Sequence, residues 1–404
     1  MHPQVPRHTP PPSIPDARPL HDALIAARRR TEEILPLLRR WIETNSHSRN
    51  VAGANEMGDL LVAALAETGM RLVRRPGNGV GDHLLWHTDA WSRAEADRVV
   101  LVGHHDTVFP PGTFELHEER DGRLHGPGAV DMKGGLAIGR TALTALFDAG
   151  CLHDLPLAFI SVADEEIGSG DSRPFLEDTV RGAAAALVLE TGRANDAIVT
   201  RRKGAGGLDV RVGGRSAHSG NDHASGLSAI RSLCRFVDAA EALTDYDAGV
   251  TVNVGLISGG EARNTVPDRA CCELDFRFVR QAEGDEIMKA LDELARAEEG
   301  ASGASLRVEG GVHHPALEKT RASQELLERY AACAKAAGLG CEEAPLVGGG
   351  SDANIIGALG IPTIDGLGAR GGGLHTREEQ IEIAALGPKS EALVRFLSTW
   401  DRRR

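Results

Sequence analysis

The chain has 404 residues, 41% of them hydrophobic, with 45 Lys and Arg against 58 Asp and Glu and a net charge of −13. That negative excess repels phosphate backbones and anionic lipid heads, so no nucleic acid and no membrane surface is expected as a partner. No apolar run reaches the roughly 18 to 20 residues of a spanning helix, and the length exceeds the roughly 250 to 300 residues at which a single core stops growing, so a soluble chain of two domains is expected.

Seven of the first 19 residues are proline, which removes backbone donors and predicts an extended, disordered tail over residues 1–20. From about Asp22 the apolar pairs Ile34 and Leu35, Leu37 and Leu38, and Trp41 and Ile42 recur at helical spacing, with Pro36 starting or kinking a helix; the same spacing continues from Asn55 to Thr68. β-Like runs follow at 83–88 and 99–103, then a hairpin turning at Asp121-Gly122 and a helix from about Lys133 to Ala149. Apolar strands are predicted at 155–163 and 184–189, and the alternation reads as an α/β fold with a buried, mostly parallel sheet and helices on both faces. The segment 204–310 changes to strand, helix (225–243), strand (251–257), strand (270–278), helix (283–298), strand, an α+β insert of domain size. The α/β texture then resumes with a helix at 322–337, a short strand at 361–364 and a helix from about Ile381, so residues 21–203 and 311–404 are expected to form one domain in two parts. Cys151, Cys234, Cys271, Cys272, Cys333 and Cys341 are scattered, a poor layout for disulfides or a Cys-rich zinc knuckle, and no secretory signal is visible; a cytoplasmic location is expected.

At the end of the VVLVG run, His104 and Asp106 lie two apart and point the same way in an extended chain. Ligands of α/β sheets gather at strand carboxyl ends, where Asp106 can hold the His104 ring through its second nitrogen; a pair of plain polar loop residues is the alternative. In GPGAVDMKGG (126–135), glycines let the backbone crowd close to whatever Asp131 binds, unless Asp131 only caps the following helix. The segment contains no phosphate-loop pattern and lacks the third glycine of a dinucleotide fingerprint, which argues against a nicotinamide dehydrogenase. Asp164, Glu165 and Glu166 stand at the mouth of the most apolar strand, where a divalent cation would keep them ionised together; a charged first helical turn is the other reading. Glu190 ends another apolar strand and His375 follows GARGGG, and singly either is an ordinary residue. Counted together, His104, Asp131, Glu166, Glu190 and His375 make an oxygen and nitrogen ligand set suited to two zinc ions, with Glu165 left over as a base for metal-assisted hydrolysis.

GHHDTVF (103–109), GPGAVDMKGG, ADEEIGSG (163–170), VLET (188–191), GGRSAHSG (213–220), ARNTVPDRA (262–270), DFRF (275–278), GGGSDA (348–353) and GLHT (373–376) occur in one order from about residue 30 to the end. In that order they resemble the di-zinc metallopeptidase family of glutamate carboxypeptidase (carboxypeptidase G), aminoacylase, acetylornithine deacetylase and succinyl-diaminopimelate desuccinylase, with the glutamate carboxypeptidase branch nearest. The resemblance implies a zinc-exopeptidase-like catalytic domain interrupted by a lid and dimerisation domain, and a homodimer. It implies two zinc ions per subunit, with cobalt or manganese as substitutes, and a small N-acyl amino acid or peptide as substrate. It makes Asp131 the bridging carboxylate, places His104 and Glu190 on one zinc and Glu166 and His375 on the other, and has Asp106 orient His104. Glu165 becomes the general base and later the proton donor, His218 reaches the partner subunit's site to polarise the scissile carbonyl, and Asn264 and Arg277 bind the substrate carboxylate. A deacetylase or desuccinylase of the same family is the alternative activity, and a catalytically silent metal-binding dimer a remote one.

The residues leave two of these roles open. Arg277 lies on the polar face of ACCELDFRF, where a cross-strand salt bridge explains it equally, and His218 sits in a Gly- and Ser-rich loop that can simply be solvated. One departure stands out: where the glutamate carboxypeptidases carry a second carboxylate-binding arginine, this chain reads GGVHHPAL, with His313 and His314 as weaker, pH-dependent anion partners.

Overall fold

A computed structural model of the protein describes residues 18–400, so the proline-rich stretch up to residue 17 lies outside the described residues. The first helix, α1 (Arg18–Thr31), begins earlier than the pattern of apolar pairs suggests, and Pro19 falls in its first turn, where a fixed φ fits and no N–H is needed. Pro36 likewise sits in the opening turn of α2 (Ile34–Glu43), which buries Ile34, Leu38, Trp41 and Ile42, and α3 (Val51–Leu65) follows, with Asn50 accepting from Gly53 N as its cap.

The strands then run β1 (Arg71–Arg75), β2 (His83–His87) and β3 (Val99–His104), followed by the hairpin β4 (Glu118–Arg120) and β5 (Arg123–His125). Asp121 and Gly122 turn that hairpin with φ of 52° and 72°, the pair of left-handed conformations a tight two-residue turn demands. Next come α4 (Gly134–Asp148), β6 (Leu157–Val162), α5 (Arg173–Val180) and β7 (Ala185–Val188). The following unit contains β8 (Gly204–Gly213), β9 (Ala217–His218), α6 (Ala229–Glu241), β10 (Thr251–Gly259), β11 (Thr265–Val266), β12 (Arg269–Phe278), α7 (Gln281–Ser302) and β13 (Ser305–His314). The chain closes with α8 (Arg321–Ala336), α9 (Asp352–Ala358), β14 (Thr363–Ile364), β15 (Gly371–Gly372), β16 (Gln380–Glu382) and α10 (Ile383–Ser398).

The main sheet has the order β1-β2-β6-β3-β7-β14. Its β6, β3, β7 and β14 run parallel, whereas β1 and β2 attach antiparallel, so the sheet is mixed, with an antiparallel margin. The sequence RLVRR of β1 is exposed along most of its length, and its charges suit an edge strand that must not pair further. Both faces of the central strands are covered, which is why they read as unbroken apolar runs. Val99 and Leu101 of β3 face a core with α1, α2, α4 and α10, while Val100 and Val102 face a second core with α5 and α9.

The unit after β7 has its own antiparallel sheet, β10-β12-β8-β13, and its own core, in which Leu233 and Phe236 of α6 and Leu291 of α7 pack on Val210, Phe276 and Phe278. Those two phenyl rings lie directly over the backbone of β8: a Cβ on Gly204 or Gly206 would stand 2.1 or 2.0 Å from the ring of Phe278 or Phe276. β13 continues to His314, past the change of texture at residue 310, because its pairing with β8 persists to Ala205. The chain then returns to the main sheet through β14, so an α/β layer structure is interrupted by a smaller α+β unit. Among the described residues no helix is long and apolar enough to cross a membrane.

Candidate active site

The parallel strands deliver four of the predicted residues to one end of the sheet. His104 is the last residue of β3, Glu165 and Glu166 form the short turn after β6, and Glu190 stands two residues past β7. Asp131 comes from the glycine-rich loop ahead of α4, and His375 from the turn between β15 and β16, with φ of 59°. His104 Nε2 lies 3.3 Å from Asp131 Oδ1, 3.4 Å from Glu190 Oε1 and 3.9 Å from Glu165 Oε2. His375 Nε2 lies 3.5 Å from Asp131 Oδ2 and 3.3 Å from Glu166 Oε2. Asp131 therefore offers one oxygen to each histidine. Donor atoms of His104, Glu165 and Glu190, and of His104, Asp131 and Glu166, fall within 4.8 Å of one another, so Glu165 stands inside the same cluster and is not set apart from it.

Asp106 is fully buried and reaches His104 Nδ1 at 3.3 Å with Oδ1. It also accepts a 2.7 Å bond from Ser48 Oγ and bonds of 3.2 Å from the backbone N–H groups of Glu165 and Glu166. One carboxylate thus touches both the histidine of β3 and the backbone of the acidic turn after β6.

Burial pushes the Glu165 carboxyl well above its ordinary range, and although His104 opposes this, the charges of Glu190, Asp352 and Glu166 reinforce it. Burial likewise takes Glu166 to about 7 and raises Glu190, next to the charge of Asp131. Burial would raise Asp131 too, but its hydrogen bonds with His104 and His375 outweigh that and hold it low. Hydrogen bonds to Asp131 and Glu166 lift His375 to about 10. So many carboxylates resist shared ionisation unless positive charge arrives, and the hard oxygen and imidazole donors suit divalent cations. The residues fit a metal pair.

A cavity of about 200 Å3 opens over this cluster, lined also by Arg193, Arg202, Gly349, Gly350 and Leu374. His218, Asn264 and Arg277 do not line it. His218 is exposed on β9, its Nδ1 accepting from the N–H groups of Gly220 and Asn221. Asn264 is exposed, and its carbonyl accepts from Ser219 N. Arg277 forms a two-pronged pair with Asp275 on its own strand, both bonds 2.8 Å. Burial, with His313 and Arg277 nearby, pushes His314 down to about 4, and burial lowers His313 as well, so neither is a cation near neutral pH. A larger hollow of about 610 Å3, with Arg211, Arg269 and Arg307 in its wall, lies on the second sheet and shares no residue with the acidic cluster.

Arg202 and Arg193 were not legible as site residues, because TRRKG (200–204) reads as an ordinary basic run and Arg193 is a single basic residue in the polar stretch TGRAND (191–196). In the fold Arg202 is 3% exposed, donating to Asp365 Oδ2 at 2.6 Å and to Gly349 O at 3.0 Å, while its Nη2 has no hydrogen-bond partner among the described residues. Arg202→Met is expected to destabilise the protein by about 3 to 5 kcal/mol in denaturant melts, because it strands the buried Asp365 charge. A loss below about 1 kcal/mol would mean that Asp365 is satisfied by Ser351 and backbone alone.

Residues 100–399 match Peptidase family M20/M25/M40. The chain is 26% identical over 362 residues to carboxypeptidase G2 of Pseudomonas sp. (strain RS-16), covering 87% of this chain and 86% of that protein. It is 35% identical over 228 residues to acetylornithine deacetylase of Myxococcus xanthus, covering 52% of this chain and 58% of that protein. Among solved structures it resembles the YXEP protein of Bacillus subtilis, described as a dinuclear metal binding peptidase from M20 family, with a TM-score of 0.67, 16% identity, and 92% and 99% of the two chains covered. With the family match spanning most of the described residues, this chain belongs to peptidase family M20/M25/M40 and is a hydrolase.

Proposed function

We propose that the protein hydrolyses the amide bond of small N-acyl amino acids or short peptides in a carboxypeptidase-like reaction, with two zinc ions per subunit. The observation that carries this reading is Asp131, whose two oxygens face His104 and His375 at 3.3 and 3.5 Å beside the carboxylates of Glu165, Glu166 and Glu190. In this reading Asp131 is shared, His104 and Glu190 hold one ion, and Glu166 and His375 hold the other. When bound, such ions acidify water and polarise an amide carbonyl. Glu165 takes the proton of the attacking water and returns it to the amine nitrogen as the C–N bond breaks, while Asp106 keeps the His104 ring turned toward the site.

The positive charge of Arg193 and Arg202 at the cavity supports recognition of a carboxylate on the released amino acid. We assign residues 204–310 to a lid and dimerisation unit and residues 21–203 and 311–404 to the catalytic unit, in a cytoplasmic homodimer whose second subunit brings His218 to the scissile carbonyl, with Asn264 and Arg277 as binders of the substrate carboxylate. Exposed Leu256 and Ile257 on the edge strand β10 and six free cysteines support that assembly and compartment.

The likeness to acetylornithine deacetylase supports a second reading, removal of a short acyl group from an amino acid. Hydrolysis assays over acetyl, succinyl and aminobenzoyl amino acids and over dipeptides separate the two. Carboxypeptidase behaviour predicts that amidating the free carboxylate lowers kcat/KM at least tenfold whatever the acyl group. Dependence on the acyl group with indifference to the carboxylate would favour the deacylase.

A further inference from the structure

We infer that Glu379 is a positioning residue, a buried strut that sets both the Asp131 loop and the His375 turn in place for divalent cations; this rests on the metal reading above. Glu379 is 1% exposed and gathers the amides of one loop almost completely. Its side-chain Oε2 accepts from Gly128 N at 3.0 Å, and Oε1 accepts from Val130 N at 3.0 Å and Asp131 N at 3.1 Å. Its backbone carbonyl accepts from Gly126 N at 3.0 Å. Four N–H groups of the segment 126–131 thus end on one residue that is 248 positions away from Asp131 in sequence.

The loop can wrap around the carboxylate because Gly128 adopts φ of 68°, and a Cβ there would stand 2.5 Å from Thr107 Cγ2. On its other side Glu379 closes the turn that carries His375: Glu379 N donates to Thr376 O at 3.2 Å, and Thr376 N to Gly373 O at 3.0 Å. Immediately after it, Gln380 and Ile381 pair with His125 and Leu124 of β5, so the turn and the loop are joined as one sheet. His375 is 57% exposed, and among the described residues its ring pairs with Asp131 and Glu166, so its position is set mainly through this junction. A strut of this kind acts on metal affinity, since a displaced Asp131 or His375 no longer presents its donor at the required distance.

The test is calorimetric titration of zinc into the metal-stripped full chain, comparing wild type with Glu379→Gln and Glu379→Ala at a temperature where near-UV circular dichroism reports each as folded. Glu379→Gln keeps an acceptor for two of the N–H groups but turns an NH2 toward the third, and Glu379→Ala loses all three. The expected result is a zinc dissociation constant raised roughly 10- to 100-fold, more in the alanine than in the glutamine variant. A purely structural role would lower the melting temperature and leave the affinity of the folded protein within twofold of wild type, which would overturn the inference. Should the alanine variant fail to fold, the glutamine variant carries the comparison. Wild type that binds no zinc would instead defeat the metal reading itself, a distinct outcome.

Discussion

Glu165→Gln lowers turnover by roughly 10²- to 10⁴-fold, the usual contribution of a positioned general base, while bound zinc stays at the wild-type level. The amide keeps the shape and reach of the carboxylate and removes only its ability to take a proton. The surroundings of Glu165 favour proton transfer, since burial raises its affinity for a proton, the charges of Glu190, Asp352 and Glu166 add to this, and His104 at 3.9 Å limits it. Its backbone N–H is tied to Asp106, so the substitution has a fixed scaffold to act on. Parallel metal analysis and steady-state kinetics give the answer. Wild-type turnover would end the assignment of Glu165 as base, and a loss of zinc along with activity would make it a ligand, as its place within the 4.8 Å cluster allows.

Exhaustive chelation abolishes hydrolysis, zinc or cobalt restores it, and zinc raises the melting temperature of the stripped protein. The reason is charge. Asp131, Glu165, Glu166 and Glu190 crowd one pocket whose nearest fixed partners are two histidines, and cations that bind only the folded chain add stability by mass action. At free zinc a hundredfold above its dissociation constant this amounts to about 2.7 kcal/mol, readily seen in a thermal melt. Full activity after dialysis against a strong chelator, with metal analysis confirming removal, would exclude metal-assisted hydrolysis.

Much of the site was readable because its signals are local. The apolar runs of β3, β6 and β7 mark strands buried on both faces, and the residues at or just beyond their carboxyl ends, His104, Glu165, Glu166 and Glu190, meet in the fold. Asp121-Gly122 was legible as a turn since positive φ at two successive positions admits few residue types. Asp131 and His375 joined the ligand set only when counted with His104, Glu166 and Glu190, because a single acid or histidine in a glycine-rich loop has no periodicity to betray it.

Other features have no trace along the chain. RLVRR carries too little apolar alternation to announce β1, and nothing before β2 foretells that it attaches antiparallel to β6. The polar face of β12 was foreseeable from alternation, yet whether Arg277 bonds across strands or to Asp275 depends on which acid its guanidinium reaches first. Ser48 on Asp106, Arg202 on Asp365 and Glu379 on the Asp131 loop join positions 58, 163 and 248 residues apart. Strand runs, turns and helix starts are dictated by neighbours within a few residues, and for those the amino-acid order sufficed. Hydrogen bonds between distant segments exist only once two cores have packed and brought their loops to one sheet end, so the partners of these buried carboxylates emerge only from the folded chain.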